Sequence, residues 1–280
     1  MLENITPLIL TYNEAPNIGR TLEQLRWARE VVVVDSHSSD ETLEVVTKFA
    51  NVRVFQRAFD SHANQWNFAL RETGIVSEWV LALDADYLLT VQLTEELKNL
   101  TPGPATNGYR ARFVYCIQGH HLRSGIYPPA IVLYRRQEGS YCQDGHTQKL
   151  LLGERVENLK SAILHDDRKE LKRWFQSQLI YAQLEADKLR QSSLASLSFT
   201  DRLRRWCVVV PIMIGFYCLL VRGGIFDGIP GLYYAFQRAL AELMLSLNLI
   251  DHDIKYGVLA KKKRKREGAT GATVENAQGG

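Results

Sequence analysis

The chain has 280 residues, is 46% hydrophobic and carries a formal net charge of +3. That length and apolar content support a sizeable core in one large domain, or one domain with an appendage. The near-balance of charge argues against a dedicated nucleic-acid binder, which presents a strong basic field over its domain.

The N-terminal stretch MLENITPLIL lacks a basic segment followed by a long apolar one, so no signal peptide is expected there. Within it, PLILTY (7–12) is a short β-leaning run. NEAPNIGRTLEQLRWA follows with Ile18, Leu22, Leu25 and Ala28 at helical spacing. EVVVVDS (30–36) reads as a second strand, apolar on both faces. SDETLEVVTKFA reads as a helix opened by a capping-box pattern, Ser38 or Ser39 before Glu41 or Thr42. NVRVFQ (51–56) predicts a third strand, SHANQWNFALRET (61–73) a helix and EWVLALDAD (78–86) a fourth strand. Strands alternating with helices predict a parallel sheet covered on both faces. In such sheets ligands bind beyond the carboxyl ends of the strands. Asn13, Glu14, Asp35, Asp84 and Asp86 all fall at strand ends and should converge on that edge. A D-x-D pair after a buried strand suits a hard divalent cation bound through oxygen; the bland alternative is a surface turn with two solvated acids.

The stretches LTYNEAPNIGRTLEQL, VVVVDSHSSDETLEVV, ANQWNFAL and EWVLALDAD, in this order, resemble the family-2 glycosyltransferases. Within that family the chain looks closest to bacterial enzymes of lipopolysaccharide-core and surface-glycan synthesis. SGIYPPAIVLYRR, DGHTQKL and ILHDD fit that layout, and the resemblance covers roughly residues 5–185. A weaker echo lies in RGGIFDGIPGLYYAFQRALAE. The resemblance implies an α/β fold of the GT-A (Rossmann-like) type, a mostly parallel sheet with helices on both faces. It implies a donor site in which Thr11, Tyr12, Asn13 and Glu14 line the nucleotide pocket and Asp35 reads the nucleobase. Asp84 then sits by the ribose or metal, Asp86 binds Mg²⁺ or Mn²⁺, and Asn67 supports the site. The donor would be a UDP-, GDP- or ADP-linked sugar and the acceptor a glycan or a lipid-linked glycan.

The second half should supply the acceptor side. GYRARFVYCIQGHHLRSG (108–125) looks like a strand pair, and PAIVLYRR (129–136) another strand. In YCQDGHTQKL, His146 precedes Thr147 where relatives often carry a His-Glu pair, so the obvious glutamate base is missing. Asp144 is the nearest carboxylate and the first candidate base, and His146, titrating near working pH, is the second. A turn role for Asp144 in Asp-Gly is the alternative. His165, at the end of ILH, could complete the metal shell or touch the diphosphate, with Asp166 or Asp167 capping the next helix. A haloacid-dehalogenase-like phosphatase shares the letters of LALDAD and ILHDD, but its first aspartate normally ends the first strand. A catalytically degenerate nucleotide-sugar binder is the other alternative.

Cys116, Cys142, Cys207 and Cys218 form no C-x-x-C pair, which points to reduced thiols rather than a zinc site. WCVVVPIMIGFYCLLV (206–221) is apolar but short for a bilayer span and interrupted by Pro211 and Gly215. IPGLYYAFQRALAELMLSLNL (229–249) reads as a second long helix, and KKKRKR (261–266) opens a polar tail. The expected layout is a glycosyltransferase domain over 1–195, divided into a nucleotide-sugar half (1–100) and an acceptor half (101–195). An apolar helical hairpin over 196–257, interfacial or packed, would form a membrane-associating region, and 258–280 a disordered basic tail. The implied location is cytoplasmic, peripheral on the inner face of the cell membrane, against its anionic surface.

Overall fold

The structure, a computed structural model, describes residues 1–275 except 145, 146, 194, 196, 206 and 208, with side chains described as far as Gly257. In chain order, β1 (Ile5–Thr11), α1 (Ala15–Glu23), β2 (Val31–Asp35), α2 (Thr42–Val46), β3 (Val52–Gln56), α3 (His62–Glu72) and β4 (Trp79–Asp84) alternate as the sequence predicts. Val31 to Val34 are fully buried, as a central strand covered on both faces requires. α1 carries Pro16 in its first turn and buries Ile18 and Leu22.

α2 has five residues and is shorter than its pattern suggests. Ser38 cannot cap it, because Ser38 is bonded to Asp35. Glu41, at the cap position, makes no side-chain capping bond, and Asp40 before it accepts from the Thr42 amide at 3.1 Å.

Then come β5 (Tyr87–Leu89), α4 (Val91–Asn99), β6 (Gly108–Ile117), β7 (His120–His121) and β8 (Ala130–Arg135). The hairpin β9 (Ser140–Asp144) and β10 (Thr147–Leu151) forms a separate two-stranded sheet, and β11 (Val156–His165) returns to the main one. The main sheet runs β3-β2-β1-β4-β8-β6-β11-β5, with β7 on β6. Its first four strands are parallel. β8 then enters antiparallel between β4 and β6, and β5 lies antiparallel on β11. β6 and β11 pair parallel, so the sheet is mostly parallel, as expected, with β8 and β5 as antiparallel members. β8 reaches its place from β6 through a local return, so no helical crossover reverses its direction. One apolar cluster packs α1 and α4 on one face, around Leu81, Leu83 and Ile163. A second packs α3 and the β9–β10 hairpin on the other, around Trp66, Val80 and Tyr134.

The helices that follow are α5 (Leu171–Gln191), α6 (Phe199–Arg204), α7 (Val209–Phe216) and α8 (Gly228–Glu275), with a π-helical turn at Tyr217–Val221. The chain divides into two compact units, Met1–Gln176 with Phe216–Ala235, and Ser177–Gly215 with Phe236–Gly280. Residues 216–235 thus belong with the sheet, a placement their apolar composition does not reveal. The second unit has a small core of Ala182, Ala186, Leu189, Leu197, Leu245 and Leu249. In it Arg204 pairs with Glu242 at 2.8 Å and with Glu185 at 3.4 Å, so its buried carboxylates are compensated. α8 runs from Gly228 to Glu275, through a stretch where Lys, Arg, Glu and Ala are good helix formers. Among the described residues no single helix is long and apolar enough to cross a membrane. One pair, Val209–Val221 with Gly224–Gly257, passes the test together but is bent by 69°.

Leu81 is fully buried in β4. Leu81→Ala should cost about 2–5 kcal/mol, read as a lower urea midpoint with an unchanged slope.

Candidate functional site

The ends of β1 and β2 are adjacent, with Thr11 in register with Asp35. Asp35 is fully buried. Its Oδ1 accepts from the Thr11 hydroxyl at 2.9 Å and the Ser38 hydroxyl at 2.5 Å, and its Oδ2 from the Ser38 amide at 2.8 Å. The buried charge is thereby solvated by the turn it closes. Asn13 has φ of 54°, a left-handed conformation that asparagine tolerates. It is pinned there by its amide donating to Ser38 Oγ and its side-chain oxygen accepting from the Ser39 amide. Tyr12 stays exposed, with the Arg173 guanidinium 5.4 Å from its ring and donating to its carbonyl at 2.9 Å. An exposed ring at the carboxyl edge is a platform on which a base can stack.

Glu14 precedes α1 and turns toward the segment that leaves β11. Its Oε1 accepts from Lys169 Nζ at 2.6 Å and its Oε2 from Asn17 Nδ2 at 2.9 Å. Asn17, fully buried, also donates to Asp167 Oδ1 and accepts from Arg20 and the Arg168 amide, each at 2.8 Å. Asp166, 2% exposed, accepts from Arg20, Arg168 and the Gly119 amide. The two aspartates expected to cap α5 are thus clasps onto α1. Burial pushes the Glu14 carboxyl up to about 7, against the pull of Lys169. Lys169 is buried too, but the charges of Glu14 and Asp167 hold it firmly protonated.

β4 ends at Asp84, and the chain turns so that Asp84 is exposed while Asp86 is 8% exposed. Asp86 Oδ2 lies 3.3 Å from His165 Nε2. Its Oδ1 is buried with no hydrogen-bond partner, as is His165 Nδ1. Burial opposes charge on Asp86, but the nearby His165 and Lys169 outweigh it and hold the carboxyl at about 2. Burial likewise opposes charge on His165, and Asp86 outweighs it, raising the imidazole. Asp84 is raised, by loss of solvation among the surrounding protein and then by repulsion from Asp86. The His165 ring meets the rings of Tyr127, Tyr115 and Tyr87 at 4.6, 4.8 and 5.2 Å, and the Tyr87 and Tyr127 hydroxyls share a 2.7 Å hydrogen bond.

The structure thus brings Glu14, Asp84, Asp86 and His165 to one edge and adds Lys169, Asn17, Tyr87 and Tyr115, whose part in it the sequence does not mark, beside Tyr127. Among the described residues, no group of three or more His, Cys, Asp or Glu is set to hold a metal ion. The orphaned Asp86 oxygen fits a hard cation only if a ligand supplies further oxygens.

Asn67 is committed elsewhere. Its amide donates to the Tyr141 carbonyl at 2.8 Å and its oxygen accepts from the Tyr141 amide at 2.9 Å, clasping β9 to α3. Trp66 stacks on Tyr141 at 5.4 Å, and Tyr141 shares a hydrogen bond with Tyr134. Asp144 ends β9 in register with Thr147, on the hairpin rather than the main sheet. His146 lies outside the described residues.

Residues 8–119 match the family model for glycosyl transferase family 2. The chain carries a family-2 glycosyltransferase domain. That family-2 match takes in the Thr11–Glu14 turn, Asp35, Asp84 and Asp86. The chain is 33% identical over 98 residues to an uncharacterized glycosyltransferase of Rickettsia felis, covering 35% of this chain and 34% of that one. It is 30% identical over 100 residues to the lipopolysaccharide core biosynthesis glycosyltransferase LpsC of Rhizobium meliloti, covering 34% and 36%. The chain therefore spans about a third of the length of these curated relatives. Among solved structures it is similar to S. aureus TarS 1–349 in complex with UDP, with 15% identity, 90% of this chain and 91% of that one, and a TM-score of 0.45.

Glu14 keeps its proton to about pH 7 in the folded family-2 domain and loses it near 4.5 when unfolded. Between those values the folded state binds more protons, so this contribution to stability falls as pH rises. It is on the order of 3 kcal/mol across the window. Glu14→Gln should flatten that decline in a series of melting temperatures from pH 5 to 7.

Proposed function

We propose that this chain is an inverting, metal-dependent glycosyltransferase that moves a sugar from a nucleotide-sugar donor to a glycan or lipid-linked acceptor in cell-envelope glycan synthesis. The observation that supports the reading is the buried, unpartnered Asp86 Oδ1 just beyond the end of β4, within the stretch that the family-2 match covers. Asp86, with Asp84, would hold Mg²⁺ or Mn²⁺ together with oxygens of the donor diphosphate. The ion, when bound, supplies neutralisation of the charge that builds on the departing nucleoside diphosphate. Lys169, held protonated by Glu14 and Asp167, and His165, whose imidazole Asp86 raises, face the same charge. Tyr12 stacks on the base, and the Thr11–Glu14 turn with Asp35 shapes the pocket around it.

On the acceptor side, the hydroxyl oxygen bonds to the anomeric carbon as the bond from that carbon to the diphosphate breaks. Asp144 takes the hydroxyl proton, with His146 as the second candidate. Asn67 serves this step by fixing the hairpin that carries Asp144. The apolar helices and the Lys261–Arg266 run would keep the enzyme on the inner face of the membrane, close to a lipid-linked acceptor.

The deciding experiment is incubation with UDP-, GDP- and ADP-sugars and Mn²⁺. One nucleotide should raise the melting temperature and be released on turnover. Phosphate release from simple phosphoesters would instead favour the dehalogenase-like phosphatase, and binding of a nucleotide sugar without turnover the degenerate binder.

Asp86→Asn should keep the fold and lower metal-dependent turnover on the order of 100-fold. Near-wild-type activity with the same metal dependence would remove Asp86 from the metal site.

Asp144→Asn should lower kcat by about 100-fold or more at unchanged donor affinity, and His146→Ala should do less. The reverse ranking would give the base role to the histidine.

A further inference from the structure

The segment RGGIFDGIPG (222–231) takes no part in donor chemistry, yet it is closely built. Gly223 has φ of +73°, which a side chain would strain. A Cβ on Gly231 would lie 2.1 Å from the Gly224 carbonyl oxygen. The tight turn that results sorts its side chains by chemistry. Leu220, Val221, Ile225, Phe226 and Ile229 all face solvent, Phe226 at 76% and Ile229 at 83% exposure. The acidic side chain points the other way. Asp227 Oδ2 accepts from the Arg123 amide at 2.9 Å, the Ser124 amide at 3.0 Å and the Ser124 hydroxyl at 2.9 Å. The Arg222 guanidinium donates to the Gly125 carbonyl, and the Tyr234 hydroxyl accepts from the Ile126 amide at 3.1 Å. Residues 123 to 125 are thereby tied to this turn and Ile126 to Tyr234 just beyond it in α8, and the next residue is Tyr127, whose ring lies 4.6 Å from His165.

We propose that the turn spanning 216–232 is a wedge that seats in the surface of an anionic lipid bilayer, and that Asp227 is a positioning residue that fixes the 123–127 loop, and with it Tyr127, when the wedge is seated. A cluster of exposed large apolar residues on a stiff turn marks an interaction surface. Arg123 and Arg222 border it, while the acidic residue of the motif is turned inward and used up. That leaves an apolar tip with a cationic rim, which suits lipid tails below anionic headgroups. A second copy suits it less, because a two-fold contact sets the same patch against itself and brings arginine against arginine. The wedge deepens the reading of a lipid-linked acceptor, since it places bilayer contact on the loop that builds the aromatic wall.

Hydrogen exchange of the full chain tests it without any sugar donor, so its outcome is separate from that of the transferase reading. Vesicles of phosphatidylcholine with phosphatidylglycerol should slow exchange over 216–232 and at the 123, 124 and 126 amides at least tenfold. Phosphatidylcholine alone should do less. A Phe226→Trp variant should shift its emission to the blue on those vesicles and be quenched by brominated lipid. Asp227→Ala should keep the slowing at 216–232 and lose it at 123 and 124, and Asp227→Asn, which retains an acceptor oxygen, should recover part of it. If Asp227→Ala does not fold, Ser124→Ala, which removes one of the three bonds, should show a partial loss. No slowing and no quenching on any vesicle would overturn the wedge. Slowing over 216–232 that tracks protein concentration without lipid would assign the surface to a second copy. Unchanged slowing at 123 and 124 in Asp227→Ala would overturn the coupling.

Discussion

Asn17 is fully buried and its side chain makes four hydrogen bonds, and the arrangement of the site depends on their closing. A side-chain amide has two donors and one oxygen able to accept twice. Here the donors go to Glu14 and Asp167, and the oxygen takes Arg20 and the Arg168 amide. An amide left half satisfied at this depth would cost more than it contributes, so the four partners are fixed together. They come from the start of α1 and from the segment after β11, strands that the sheet separates by β4, β8 and β6. The carboxyl ends of β1 and β11 are thus joined by a polar hub. Apolar packing, being non-directional, would not hold Lys169 at 2.6 Å from Glu14 or set His165 against Asp86.

This constraint separates what the sequence reveals from what it hides. Strands β1 to β4 are legible because buried parallel strands are unbroken apolar runs, and their ends predict where Asp84 and Asp86 stand. The direction of β8 is not legible, because an apolar run has the same composition whichever way it points. β5 and α4, between Asp86 and Leu100, carry patterns too short or too polar to stand out beside LALDAD. Asn17 reads as one more polar residue on an amphipathic helix, and nothing local marks its partner Asp167, 150 positions away. HDDRK offered a signal, since it packs five polar or charged residues behind an apolar strand. A capping role explained only part of it.

Asn67 shows a different kind of gap. Its identity marks it as notable, but identity alone does not choose between a ligand and a clasp. The two bonds to Tyr141 make it a piece of borrowed backbone, continuing the hydrogen-bond pattern of a strand from the side of a helix. A site on a hairpin outside the main sheet needs such a clasp, because two strands by themselves are marginal. Trp66, Tyr134 and Gln143 add to the same seam, with Gln143 accepting from the Ala63 amide.

The charges at the main edge carry the argument one step further. Asp86 and Glu14 are set against His165 and Lys169, and each acid is within contact of a base. Part of the site's charge is therefore balanced before any ligand arrives, with Glu14 contributing as it ionises near pH 7. A diphosphate entering alone would add negative charge beside Asp84 and Asp86, which already repel each other. A divalent cation entering alone would find, among the described residues, the unpartnered buried Asp86 oxygen and no cluster of three or more His, Cys, Asp or Glu around it. The two together nearly cancel, and each supplies what the other lacks: oxygens for the cation, and a counter-charge for the phosphates next to the acids. Under the proposed reading, donor and cation are then bound as one neutral unit, and the preference of the site for that unit follows from its internal balance rather than from a preformed cage.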